Sequence, residues 1–121
     1  MVNHMGIKVE FNPDLALRNI QEFRNGSRKR EECIPEQLAA GSVHEFLKEG
    51  QRNYYLEGEI PLRETQGNQV LSRPLASVVI LEATHFLLQG KHYTKGRYKI
   101  VQPLDPKSPK QYFEGYEKIK P

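Results

Sequence analysis

The hydrophobic pattern near the N-terminus predicts an α-helix over residues 12–26. Asn12 is of a type favoured at helix N-caps, and Pro13 suits the first helical position, where the backbone N–H has no partner. Apolar side chains then recur at the spacing of one helix face, at Ala16, Leu17, Ile20 and Phe23. Gly26 fits the position just after a helix, which often adopts a left-handed conformation. We therefore expect one N-terminal helix.

Alternating apolar and polar residues predict β-strands through the middle of the chain. Residues 43–48 form one candidate strand, and residues 53–62 form a second. In the second strand the even-numbered residues share the apolar face, while Glu57 and Glu59 lie on the other face. Pro61 cannot donate a backbone hydrogen bond, so we expect it at a sheet edge or at the end of a strand.

Residues 75–89 form the most apolar stretch, and their spacing is compatible with either a strand or a helix. We favour a strand because Val78, Val79 and Ile80 are all β-branched, and because Gln89-Gly90 resembles a hairpin turn. Residues 97–102 would then form the returning strand. The functional hypothesis below depends on this choice, since a helix would not produce the hairpin.

These elements predict an α+β fold in one domain over residues 12–102. One N-terminal helix would pack on a small antiparallel β-sheet, or on a partly closed β-barrel, of roughly four to six strands. Residues 1–11 would form an N-terminal segment. Residues 103–121 carry prolines and lysines, which indicates a flexible C-terminal tail. The total of 121 residues fits a single domain.

Composition narrows the class of protein. Apolar residues make up 37% of the chain, and no segment is long and apolar enough for a membrane span. The single cysteine, Cys33, cannot form an intramolecular disulfide, which argues against a small secreted disulfide scaffold. The first residues lack the basic and apolar regions of a signal peptide. We therefore expect a cytoplasmic protein with no membrane partner.

Charge is distributed unevenly along the chain. Residues 1–60 hold eight Lys/Arg and ten Asp/Glu, whereas residues 61–121 hold ten Lys/Arg and five Asp/Glu. Residues 83–104 contain four Lys/Arg and no acidic residue. Such a segment can attract a polyanion, although a solvated basic hairpin beside an acidic surface explains the same pattern.

The acid-free segment holds the candidate binding residues. Single-stranded nucleic acids are bound by cations that contact phosphates and by rings that stack on bases. The candidates are Lys91, His92, Tyr93, Lys95, Arg97 and Lys99. Strand alternation would place the last three cations on one face and Tyr98 and Ile100 on the other. We therefore predict a non-enzymatic module that binds RNA or single-stranded DNA.

A protein-interaction or assembly module is the alternative function. It would use an exposed strand edge or the aromatic tail residues Tyr112, Phe113 and Tyr116. An enzyme ranks third, because neither the Glu57 and Glu59 carboxylates nor the lone cysteine matches an established catalytic pattern. The four histidines and the cysteine lack zinc-ligand spacing, so no metal or other cofactor is expected.

Overall fold

Five β-strands form most of the structure, a computed structural model that describes residues 11–65 and 71–104. The strands are β1 (Leu15–Arg18), β2 (Val43–Glu49), β3 (Glu59–Thr65), β4 (Ala76–Leu88) and β5 (Lys91–Pro103). Helical structure in these ranges consists of α1 (Ile20–Arg24) and one 3₁₀ turn (Arg30–Glu32). The protein is therefore mostly β.

The strands form one mixed sheet in the order β1-β3-β4-β5-β2. β1 runs parallel to β3, and the other neighbouring strands are antiparallel. Five strands lie within the predicted range, but the sheet is open and only partly antiparallel, so the predicted antiparallel sheet or partly closed barrel is corrected. A parallel pair needs a crossover, and the long connection through α1, the 3₁₀ turn and β2 provides it.

The predicted N-terminal helix is wrong over its first half, which forms β1. Leu15 and Leu17 alternate with less buried neighbours and are almost fully buried, and Leu15 lies opposite Leu62 of β3. This burial beside β3 outweighs the helical spacing of the whole segment. The short helix α1 begins only after Asn19, whose Oδ1 accepts a hydrogen bond from the Gln21 N–H at 2.8 Å. It has no buried residue, so it is not a helix packed on the sheet.

The end of α1 agrees with the prediction. Gly26 has a φ of 83°, the left-handed conformation expected just after a helix. The Gly26 N–H donates to the Phe23 carbonyl at 3.0 Å, and the Ser27 N–H donates to the Glu22 carbonyl at 2.8 Å. These two bonds form a Schellman motif, which satisfies carbonyls that the helix itself leaves unpaired.

The second predicted strand, residues 53–62, is displaced toward the C-terminus. Glu57 has a φ of 71° and lies in a turn, so β3 begins only at residue 59. Leu56 is 46% exposed, whereas Tyr54 is buried in the core from a loop. Pro61 lies inside an interior strand. Proline has no N–H to donate, but no hydrogen bond to β1 is lost here, because β1 pairs with β3 only from Leu62 onward.

The predicted hairpin is confirmed, and the apolar stretch is a strand rather than a helix. β4 and β5 each span 13 residues and pair along nearly their whole length. Gln89 and Gly90 have φ values of 52° and 82°, as in the two-residue turns that match the twist of antiparallel strands. The returning strand starts directly after this turn, at Lys91, six residues earlier than predicted.

A β-bulge in β4 changes which side chains face the core. Ile80 pairs with Tyr98, but Glu82 pairs with Arg97, so Leu81 is an extra residue. Before the bulge the even-numbered side chains of β4 point into the core. After it the even-numbered side chains point to the opposite face, which keeps Glu82 in solvent.

The core lies on one face of the sheet and draws on all five strands. Its largest fully buried side chains are Tyr98, Phe46, Leu15, Leu17, Ile60, Leu62, Ile80, Ile100 and Val78. Ile34 joins this core from the segment after the 3₁₀ turn, where its N–H donates to the Arg18 carbonyl at 2.8 Å. This bond ties the segment to the free side of β1.

Replacing Gly96 by alanine should destabilise the fold strongly. A Cβ at Gly96 would overlap the backbone carbonyl of Glu82 and come within 2.8 Å of the Phe46 ring. We expect Gly96→Ala to lower the free energy of unfolding by about 1–3 kcal/mol or more in urea denaturation. Gly90→Asn is the control: nothing lies within 4 Å of its Cβ, and Asn tolerates a positive φ. Equal stability of the two variants would contradict the close approach at Gly96.

Candidate nucleic-acid interface

The face of β4, β5 and β2 that points away from the core carries most of the predicted binding residues; we call it the outer face. Along β5 it carries Lys91, Tyr93, Lys95, Arg97 and Lys99. Tyr98 and Ile100 point into the core, as the alternation predicts. His92 pairs with Leu87 and lies on the opposite face. The structure thus brings five of the six candidates together and separates His92 from them.

An aromatic pair lies on the outer face near the hairpin turn. Phe86 of β4 and Tyr93 of β5 are cross-strand neighbours, with ring centroids 5.5 Å apart and ring planes at 20°. The Lys95 ammonium lies 5.4 Å from the centroid of the Phe86 ring, in cation–π contact. The outer face therefore combines a half-buried apolar surface with an adjacent positive charge.

Phe86 belongs to the acid-free segment but is not among the six predicted binding residues, although its position follows from the hairpin turn. A two-residue turn at Gln89-Gly90 fixes the pairing of the residues on either side of it. Counting outward from that turn places Phe86 opposite Tyr93, as the structure shows. Leu47 of β2 was also missed; it lies opposite Lys95, and its pairing depends on contacts distant in the sequence.

Acidic side chains from neighbouring strands interrupt the basic segment in space. Arg97 forms an ion pair with Glu82 of β4, and Glu45 of β2 lies opposite Arg97 on its other side. Glu49 lies opposite Tyr93. The acid-free stretch of sequence is therefore not an acid-free surface, and the charge of Arg97, whose side chain is 53% exposed, is partly offset by Glu82.

The 27–32 segment stands over the outer face and forms a trough with it. One depression of about 360 Å³ lies at the Arg97 end, and another of about 370 Å³ lies at the Tyr93 end. Lys29, Leu47 and Phe86 line both, so the depressions adjoin. We call the combined groove the outer trough; its floor is apolar and its walls carry both signs of charge.

Lys48 marks a second charged region, between the two edge strands of the sheet. Its side chain extends from β2, and its Nζ donates a hydrogen bond to the Ala16 carbonyl of β1. Burial, assisted by the charge of Arg52, lowers the pKa of Lys48 to about 8. Burial also raises the pKa of Asp14, which the Arg63 guanidinium at 3.6 Å partly offsets.

The other candidate chemistries are not assembled. Glu57 lies in a turn, and the Glu59 carboxylate accepts a hydrogen bond from the Ser77 hydroxyl at 2.5 Å, so the two carboxylates do not share a strand face. His85 is bonded through Nε2 to the Arg52 carbonyl at 2.6 Å. Burial raises the pKa of the Cys33 thiol. Within the described ranges, no three His, Cys, Asp or Glu residues are grouped as metal ligands would be.

Comparison with known proteins identifies no relative. No family model, no curated protein and no solved structure matches the chain. Within residues 11–65 and 71–104, the structure contains no helix of the length and apolar character needed to cross a membrane. The aromatic tail residues of the alternative hypothesis lie outside the described residues.

The lowered pKa of Lys48 predicts a pH-dependent stability. Between about pH 8 and its ordinary value of 10.5, the unfolded chain holds a proton on Lys48 that the folded chain has released. The contribution of Lys48 to the free energy of unfolding therefore rises with pH across this window. Urea denaturation should show wild type gaining stability relative to Lys48→Met between about pH 8 and pH 10. Comparing the two proteins removes the effect of the buried Tyr54 and Tyr98, whose pKa values are raised in both. A stability difference that stays flat or falls would contradict the burial of the ammonium.

Proposed function

We propose that the protein binds single-stranded nucleic acid, either RNA or single-stranded DNA, on its outer face. The observation that carries this proposal is the stacked pair of Phe86 and Tyr93 with Lys95 beside it. Flat rings and cations on one solvent-facing sheet surface are what an unpaired, negatively charged strand requires. The role is binding rather than catalysis.

Base stacking supplies the first part of the interaction. Every nucleobase has a flat face, so stacking on an aromatic ring tolerates any sequence and contributes about 1–3 kcal/mol per base. Phe86 lines both depressions of the outer trough, and Tyr93 lines one of them. Leu47, from the neighbouring strand, extends the same apolar floor. A base placed in the trough would contact this floor and exclude water from it.

Phosphate contacts supply the second part. Lys91, Lys95 and Lys99 are exposed on the outer face and follow one another every fourth residue along β5. At about 3.3 Å per residue, the Cα atoms of successive lysines lie about 13 Å apart. A strand of nucleotides lying along β5 would meet them in turn. Arg97 contributes less than the sequence predicts, because its charge is paired with Glu82.

Fluorescence anisotropy with a labelled oligonucleotide tests the proposal. We expect wild type to bind oligo-U RNA or mixed-sequence single-stranded DNA, and to lose roughly 7- to 18-fold in affinity between about 50 and 200 mM salt if two or three phosphates are contacted. Phe86→Ala should weaken binding by about fivefold or more, since it removes a stacking ring. Lys95→Gln combined with Lys99→Gln should also flatten the salt dependence.

Matched controls separate this site from general effects. Leu87→Ala removes an adjacent side chain on the opposite face of the same strand, so it should bind as wild type does. Arg73→Gln removes an exposed cation from the segment before β4, beyond the strand end farthest from the hairpin turn. Circular dichroism confirms that each variant folds. Equal losses in Phe86→Ala and Leu87→Ala would refute the outer face as the site.

Failure of wild type to bind any oligonucleotide would favour the protein-interaction hypothesis. At about 100 μM protein and low salt, even the weak sequence-independent binding of a basic surface is measurable. β2 is an edge strand of the open sheet, and Val43 at its start is 46% exposed. An edge strand can pair with a strand of another protein. Binding of that kind would change little with salt.

A further inference from the structure

A depression of about 240 Å³ lies between the two edge strands of the sheet and is rich in cations; we call it the edge depression. Four cationic side chains line it: Arg18, Arg28, Lys48 and Arg52. Two carboxylates, Glu32 and Glu49, line it as well. At about 30 Å³ per liquid water molecule, this space holds several waters or one small polyatomic ion with its hydration.

Two of the four cations are already neutralised. Arg18 donates to the Glu22 carboxylate at 3.0–3.2 Å. Arg28 bonds to Glu32 at 3.0 Å and lies 3.6 Å from Glu49. These ion pairs are only partly exposed, so their geometry is held by several partners at once. They leave little net charge at this part of the depression.

The other two cations bond to neutral groups. Lys48 donates to the Ala16 carbonyl, and the Arg52 Nε donates to the Glu49 carbonyl at 3.0 Å. Asp14, the carboxylate whose charge acts on both, lies 3.6 Å from the Arg63 guanidinium. Burial is the main cause that lowers the pKa of Lys48, and the charge of Arg52 lowers it further, so the two cations act on each other at the depression.

We propose that the edge depression binds an oxyanion of the phosphate type between Arg52 and Lys48. A guanidinium presents paired N–H groups that match two phosphate oxygens, and an ammonium adds a compact charge. The Arg52 backbone is fixed, since its N–H donates to the Thr94 hydroxyl at 2.8 Å and its carbonyl is bonded to His85. The Arg52 side chain therefore extends from a fixed backbone into the depression that Lys48 also lines.

The phosphate group could be free or could end a bound nucleic-acid strand. The edge depression shares Arg28, Glu32, Leu47 and Glu49 with the Tyr93 end of the outer trough. A strand bound in the trough could therefore place a terminal phosphate in the depression. This second source rests on the proposed function, whereas binding of inorganic phosphate does not.

Calorimetric titration with sodium phosphate, at ionic strength held constant with chloride, tests the site itself. We expect saturable binding that weakens at least about tenfold in Arg52→Gln, because hydrogen bonds to a charged group contribute about 1.5–3 kcal/mol. Lys48→Met is a second variant for the same site. Arg24→Gln removes a cation that pairs with Glu36 and does not line the depression, so its affinity should equal that of wild type.

Anisotropy with one oligonucleotide carrying a 5′-phosphate, a 3′-phosphate or neither distinguishes the two sources. Tighter binding of a phosphorylated form, abolished by Arg52→Gln, would identify the strand end as the ligand. Phosphate binding without any oligonucleotide binding would support the site and refute the proposed function. The inference is overturned if wild type binds neither inorganic phosphate nor a terminal phosphate, or if Arg52→Gln and Lys48→Met both bind phosphate as wild type does.

Discussion

The pairing register between β4 and β5 determines where the candidate binding residues of this protein lie. The two-residue turn at Gln89-Gly90 sets that register and places Phe86 opposite Tyr93. The register shifts at two irregularities, between Ser77 and Val78 and at the Leu81 bulge, and the second turns Glu82 outward beside Arg97. A slip of one residue would send the aromatic pair and the lysines of β5 to the core face. The missing side chain at residue 96 keeps the two strands close enough for this register to hold.

Features controlled by neighbours in sequence could be predicted. The turn at Gln89-Gly90, the alternation that buries Tyr98, and the glycine that ends α1 all depend on conformational preferences of short segments. Two features could not be read locally. Leu17 fits the helix stripe of Ala16, Ile20 and Phe23 until β3 lies beside it, and Tyr54 is apolar enough for a strand although it enters the core from a loop.

The candidate site likewise combines features that could be predicted from local sequence with features that could not. The lysines of β5 could be placed on one face because alternation is a local property of a strand. The acidic partners could not, since Glu82 and Glu45 reach Arg97 from two other strands. Net charge along a segment therefore overstated the positive character of the surface. Likewise, no sequence pattern marks Lys48 and Arg52 as candidate anion-binding residues. They line one depression only because β1 approaches β2.

The outer trough and the edge depression thus differ in their physical character and adjoin through β2. The outer trough offers stacking surface with dispersed lysines, whereas the edge depression brings four cationic side chains to one small space. Each gains its character from which residues the sheet brings together rather than from a sequence motif. The proposed binding surface is the outer face of β4, β5 and β2, and not the core-side face of the hairpin.

Amide chemical-shift mapping of the isotopically labelled protein during titration with a single-stranded oligonucleotide tests this claim most directly. We expect the largest shifts at Leu47, Phe86, Tyr93 and Lys95 on the outer face. Shifts confined to Leu87 and His92, whose side chains lie on the opposite face of the hairpin, would contradict the outer face as the binding surface. An absence of shifts at saturating oligonucleotide would contradict it as well.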